Sequence, residues 1–203
     1  MEIVLPPLKI VQYPHPSLRH KAVPLKEISA KIKRVAEEML ELMYEAKGLG
    51  LAAPQVGLPF TMFVCNYAGD REEKEAENVY LNPVITEKSG TMDAEEGCLS
   101  LPGFFRRVRR ARTVTGVAYN LKGELVELKM SELPARVWQH ETDHLEGTLF
   151  IDKMNELGKA TSAATLAEFE YEYRRAQRKG EYPPDPEIEQ RLKELEGLAE
   201  RWE

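Results

Sequence analysis

The chain has little cysteine. Cys65 and Cys98 are the only two in 203 residues, too few for a disulfide framework. Reduced thiols and a cytoplasmic setting are expected. No apolar run is long enough to span a bilayer. The start, Met1-Glu2-Ile3-Val4-Leu5-Pro6-Pro7, lacks a basic region followed by a long apolar stretch, so no signal peptide is expected. Basic excess is missing too. The formal charge of −6 argues against nonspecific nucleic-acid binding. Nearly all of the imbalance sits in residues 181–203, with eight acidic against three basic side chains. What is present, 42% hydrophobic and 31% charged residues, suits a soluble globular protein with a substantial core.

Hydrophobic periodicity places the elements. Ile28, Ile32, Val35, Met39, Leu42 and Ala46 fall at helical spacing and predict a helix over 25–47, stopped by Gly48. Residues 48–57 hold three glycines and a proline, which argues against a regular element and for close backbone approach. Strands are expected over 61–65 and 79–85, with a charged loop between them, and a hairpin over 114–120 and 125–130. Ser131 is placed to cap a helix that runs to about Glu146 and ends at Gly147. A further helix covers 156–179. After the Pro183-Pro184-Asp185-Pro186 break, Ile188, Leu192, Leu195, Ala199 and Trp202 form another helical stripe. Strands in the middle flanked by helices indicate an α+β fold.

The pentapeptide His140-Glu141-Thr142-Asp143-His144 carries the chemistry. On a helix, residues four apart share one face, so both imidazoles reach one divalent ion with Glu141 beside it. A catalytic site of this kind takes three protein ligands and an open position. Cys65, Cys98, His15, His20 and the acidic residues are all candidates for the third. Cys65 ends an apolar run and reads as a buried hydrophobe. Cys98 follows Gly97 and precedes the Pro102-Gly103 turn, a setting where backbone can approach a metal closely. The residues alone leave that choice open.

Three segments, Gly48-Leu49-Gly50-Leu51-Ala52-Ala53-Pro54-Gln55, Glu96-Gly97-Cys98-Leu99-Ser100 and Gln139-His140-Glu141-Thr142-Asp143-His144, resemble the signature motifs of peptide deformylases. They occur in the family's order and at similar separations, and the likeness extends over roughly residues 8–175. The resemblance implies antiparallel sheets around a central HExxH helix, with residues 1–180 as the catalytic domain and 181–203 as an acidic helical extension. It implies removal of the formyl group from N-formylmethionine on new polypeptides. Metal ligands would be Cys98, His140 and His144, holding Fe(II) in most members, with Ni(II) or Zn(II) able to occupy the site. A Cys/His₂ set suits those three ions and disfavours Mg or Ca. Glu141 would move the proton, and Gln55 and the Leu99 N–H would hold the oxyanion. Leu49, Gly50, Leu133 and Val137 would line the methionine pocket. The partner would be an N-formylmethionyl peptide, with transient ribosome association compatible; no membrane or specific DNA partner is expected.

Other features fall outside the motifs. Arg106, Arg107, Arg109, Arg110 and Arg112 read as a solvated strand face or a ribosome contact. Phe105 stands where some members carry an arginine, which puts peptide-backbone recognition in question. The tail stripe is expected to pack on its own body, on a second subunit, or on a partner near the ribosome exit. Two other functions compete: a catalytically altered deformylase-like binding protein, and a zinc peptidase, for which no histidine follows His144 as a third ligand.

Overall fold

A computed structural model describes residues 7–197. Residues 1–6 and 198–203, including Ala199 and Trp202 of the expected tail stripe, lie outside the described residues. In chain order the elements are α1 (Ala30–Glu45), β1 (Gly50–Ala52), β2 (Met62–Asn66), β3 (Glu77–Ser89), β4 (Met92–Cys98), β5 (Leu101–Arg110), β6 (Thr113–Tyr119), β7 (Leu125–Ser131), α2 (Glu132–Leu145), α3 (Glu156–Arg178) and α4 (Asp185–Glu196). The fold is α+β. Five antiparallel strands run in the order β1-β2-β3-β6-β7, and β4 and β5 form a separate two-stranded ribbon.

Strand β2 explains the layering. All five of its residues are buried, because alternate side chains enter different cores. Met62 and Val64 join Ile32, Met39 and Met43 of α1 on one face. Phe63 and Cys65 join Ala135, Val137 and Trp138 of α2 on the other. Helix α2 is thus held against the sheet by its own apolar side. Trp138 presses on β6 so closely that a Cβ at Gly116 would overlap its ring. A third core, with Leu101, Phe104 and Val108 of β5 and Phe150 and Ile151, joins the ribbon to the segment after α2.

Several elements differ from expectation; β3, expected over 79–85, runs from Glu77 to Ser89, and the β4/β5 ribbon lies outside the expected strands. Helix α1 begins at Ala30, five residues late. Ser29 caps it, accepting from the Ile32 N–H at 3.3 Å. Upstream, Asn82 bonds both backbone groups of Leu25 at 2.9 and 2.7 Å, which keeps that residue out of a helical turn. The glycine-rich segment does contain a regular element, the three-residue β1. It pairs with a fully buried strand, and that pairing outweighs weak local propensity. Ser131 stands at the start of α2, but its hydroxyl faces Thr113 Oγ1 at 3.0 Å instead of capping a helical N–H.

The tail, as far as it is described, folds onto its own body. Ile188, Leu192 and Leu195 of α4 are buried, Leu195 enters the α1 core, and Glu196 meets His20 Nε2 at 2.7 Å. Beneath it lies His15, only 6% exposed, edge-on to Tyr173 and Tyr182. Burial lowers His15 to about 4, against a smaller opposing pull from Asp185. The folded chain therefore binds a proton here less readily than the unfolded chain. This contribution to stability is complete above about pH 6.5 and is lost as pH falls towards 4, amounting to about 3 kcal/mol at most. Urea unfolding at pH 7 and pH 5 should show a smaller pH dependence in His15→Asn than in wild type; equal slopes would remove His15 as a contributor.

Candidate metal centre

Helix α2 places His140 and His144 on one face, and the end of β4 brings Cys98 to them. His144 Nε2 lies 3.2 Å from His140 Nε2 and 3.3 Å from Cys98 Sγ. All three donor atoms fall within 4.8 Å of one another, the only such His/Cys/Asp/Glu group among the described residues. A tetrahedral ion with bonds of about 2.0–2.1 Å to nitrogen and 2.3 Å to sulfur needs ligand separations of about 3.3–3.6 Å. The observed spacing fits it. Charge agrees. Burial alone would lower His140, yet Cys98 and Glu96 raise it well above its ordinary value. Burial and the neighbouring His140 push His144 well below. The trio accommodates one cation between its donors.

Glu96 anchors this arrangement. It is 7% exposed. Its Oε1 accepts from His140 Nδ1 at 2.6 Å and Arg110 Nη2 at 2.5 Å. Its Oε2 accepts from Arg136 Nη1 at 2.7 Å and Arg110 Nε at 3.1 Å. Burial would raise this carboxyl, but the hydrogen bonds and charges of His140 and Arg110 hold it well below the usual carboxylate range. With Nδ1 so occupied, His140 turns Nε2 towards the other donors. Arg110 also pairs with Asp143, which ties β5 to the ligand helix.

Beside the donors a cavity of about 710 Å³ opens, lined by Leu49, Gly50, Gln55, Leu99, Phe105, Leu133, Val137 and Glu141 among others. Glu141 is 3% exposed, and its Oε2 has no hydrogen-bond partner. Burial pushes it up to about 7, with Glu96 adding to the rise and His140 and Arg110 opposing it. Gly50 covers this carboxylate so tightly that a Cβ there would come within 2.5 Å of Oε1. Gln55 Oε1 accepts from the Ala52 N–H at 2.8 Å, and this turns Nε2 to Cys98 Sγ at 3.4 Å.

The family model for polypeptide deformylase matches residues 7–160. The chain belongs to the polypeptide deformylase family. It is 42% identical over 192 residues to a peptide deformylase of Rhodopirellula baltica, covering 95% of each chain. It is 43% identical over 168 residues to the chloroplastic peptide deformylase 1B of Solanum lycopersicum, covering 82% of this chain and 60% of that one. A crystal structure of plant peptide deformylase PDF1B superposes with a TM-score of 0.82 at 38% identity, over 90% of this chain and 98% of that one.

Against this deformylase fold the sequence expectations sort cleanly. Cys98, His140 and His144 converge, and Cys98 fills the position that the zinc-peptidase reading left open. Cys65 is fully buried and its thiol is raised to about 12, chiefly by burial. His15 and His20 lie outside the donor group. Leu49, Gly50, Leu133 and Val137 share one cavity, but Leu133 is 45% exposed and stands at its rim. No described helix is long and apolar enough to cross a membrane. The arginine run is only partly a solvated face: Arg110 is buried, and Arg106 bonds Ser162 at 2.9 Å. Glu96, Arg110 and Arg136 were not assigned roles from sequence. One signal was available. Arg110 shares the parity of Phe104 and Val108, so it faces inward from β5, and a buried arginine needs a carboxylate. Glu96→Gln should weaken metal binding by about 10–100-fold and cost about 3–5 kcal/mol, because Arg110 and Arg136 lose their buried counter-charge. Chelator competition and urea unfolding measure the two effects; wild-type values in both would remove Glu96 from this role.

Proposed function

We propose that this deformylase removes the formyl group from N-formylmethionine at the start of new polypeptides, releasing formate and a free amine. The observation that carries this reading is the Cys98/His140/His144 donor group beside a buried, unpartnered carboxylate at the wall of one largely apolar cavity. Fe(II) is the proposed ion, and Ni(II) and Zn(II) suit the same donors. When bound, a divalent ion there supplies Lewis acidity that brings the pKa of a water towards ~7.

The side chains do the remaining work. Glu141, itself lifted to about 7, takes the proton of the attacking water and returns it to the departing amine. Gln55 has its acceptor end committed to Ala52 and Nε2 facing Cys98 Sγ at 3.4 Å, so the second N–H of the amide can donate to the oxygen that gains charge on the formyl carbon. The Leu99 N–H is proposed as the second donor. Leu49, Gly50, Leu133 and Val137 receive the methionine side chain. Residues 1–180 form the catalytic domain in this reading and 181–203 its extension. A cytoplasmic site of action and transient ribosome association belong to the same proposal, since the substrate emerges there.

Glu141→Ala should retain metal while kcat for a formyl-Met peptide falls by about 10²-fold or more; turnover near wild type at full metal loading would refute the proton-transfer role. Formyl-Met peptides should exceed formyl-Ala peptides by about 10–10²-fold in kcat/KM, from the buried thioether chain. Equal values would dismiss the pocket assignment.

A further inference from the structure

Segment 11–17 touches both proposed oxyanion donors without lining up with any motif. The Val11 N–H donates to the Gln55 carbonyl at 2.8 Å, and Ser17 Oγ donates to the Pro54 carbonyl at 2.8 Å. The peptide units on either side of Gln55 are therefore both held from this one segment. Across the cavity, Gln12 Nε2 donates to the Leu99 carbonyl at 3.4 Å and the Tyr13 N–H to the Ser100 carbonyl at 2.9 Å. Ser17 is fully buried, and its hydroxyl lies 2.7 Å from His15 Nδ1. Behind His15 stand Tyr173 and Tyr182, and α4 packs along the 3₁₀ turn Pro16–Arg19 that contains Ser17.

We infer that Ser17, held in place by His15, is a positioning residue that sets the Gln55 amide for the reaction. The argument rests on the reading of Gln55 as an oxyanion donor. A short 3₁₀ turn, Ala53–Val56, carries Gln55, and its side-chain amide can aim only as accurately as that backbone is fixed. The hydrogen bond from Ser17 is the one side-chain contact to the carbonyl directly preceding Gln55 among the described residues. Removing it leaves the Pro54 carbonyl with only the Gly57 N–H, at 3.2 Å within the same turn, and takes away the tie from this turn to segment 11–17. A donor displaced by a fraction of an ångström loses most in the transition state, where its bond is shortest. The effect should fall on kcat and leave KM nearly unchanged.

The test is a double-mutant cycle on metal-loaded full-length protein with a formyl-Met peptide. Ser17→Ala should lower kcat by about 10-fold, with KM within about twofold and metal content unchanged. In a Gln55→Ala background, the same change should cost almost nothing more. Ser17→Thr, which keeps the hydroxyl, should recover most of the loss. Additive losses, or an effect on KM alone, would overturn the inference while leaving Gln55 as a donor. A Gln55→Ala enzyme with wild-type kcat would instead remove the donor reading, and this inference with it. If Ser17→Ala does not fold, His15→Asn enters the same cycle with the same expected non-additivity, and additive losses there count equally against it.

Discussion

One buried anion organises the centre. Glu96, on β4, sits where β4, β5 and α2 meet and satisfies donors from the other two elements: Arg110 of β5, and Arg136 and His140 of α2. Taking a carboxylate and two guanidiniums out of water is costly, and their mutual attraction recovers that cost only when every donor finds an acceptor. The bonds to both Glu96 oxygens come close to that condition; among the buried donors of the network, Arg136 Nε alone has no partner. The network also does what an apolar core cannot. It fixes the ring of His140 through Nδ1, and a ligand with its ring fixed loses less freedom when an ion binds. Arg110 extends the link to Asp143, so ion pairs join the ribbon that carries Cys98 to the helix that carries both histidines.

The second constraint is steric. Helix α2 approaches the sheet at glycines. Trp138 lies over Gly116, and Glu141 lies under Gly50. Its packing places His140 and Glu141 in the wall of the cavity, with His144 buried behind them. Close packing of this kind transmits small displacements, which is why the backbone around Gln55 and Leu99 is tied down from a distant segment of the chain.

Much of this was legible in the sequence, for reasons that are local. The HExxH pair is a helix-face pattern, and the α2 stripe that buries Trp138 lies within the same turns. The hairpin of β6 and β7 follows from alternation around a turn. The ribbon was not identified as a pair of strands, because charged residues fill its exposed side and mask the alternation of Phe104, Val108 and Arg110. Nor was the role of Glu96. Its partners stand 14, 40 and 44 residues away, and a charge in a motif does not name its counter-charge. The helix start at Ala30 was missed because the apolar spacing continues through Ile28, while the event that ends the helix upstream, the pairing of Leu25 with Asn82, is tertiary. Short β1 was hidden for the same reason.

Two glutamates near one metal centre have opposite surroundings. Glu96 is surrounded by donors and is held ionised, so it has no proton to exchange near neutral pH. Glu141 is just as buried, but Oε2 has no partner, and loss of hydration lifts it to about 7. The proposed role of Glu141 as a base draws on that condition, since a base needs an affinity for a proton close to the working pH and an unoccupied lone pair. The cost is a carboxylate buried without compensation, which destabilises the fold. The neighbouring Glu96 network, with both carboxylate oxygens bonded, offsets part of that cost, and Gly50 gives the side chain just enough room. Had the sequence placed donors around Glu141, the protein would be more stable, and the group would be a second counter-ion with no capacity to carry a proton.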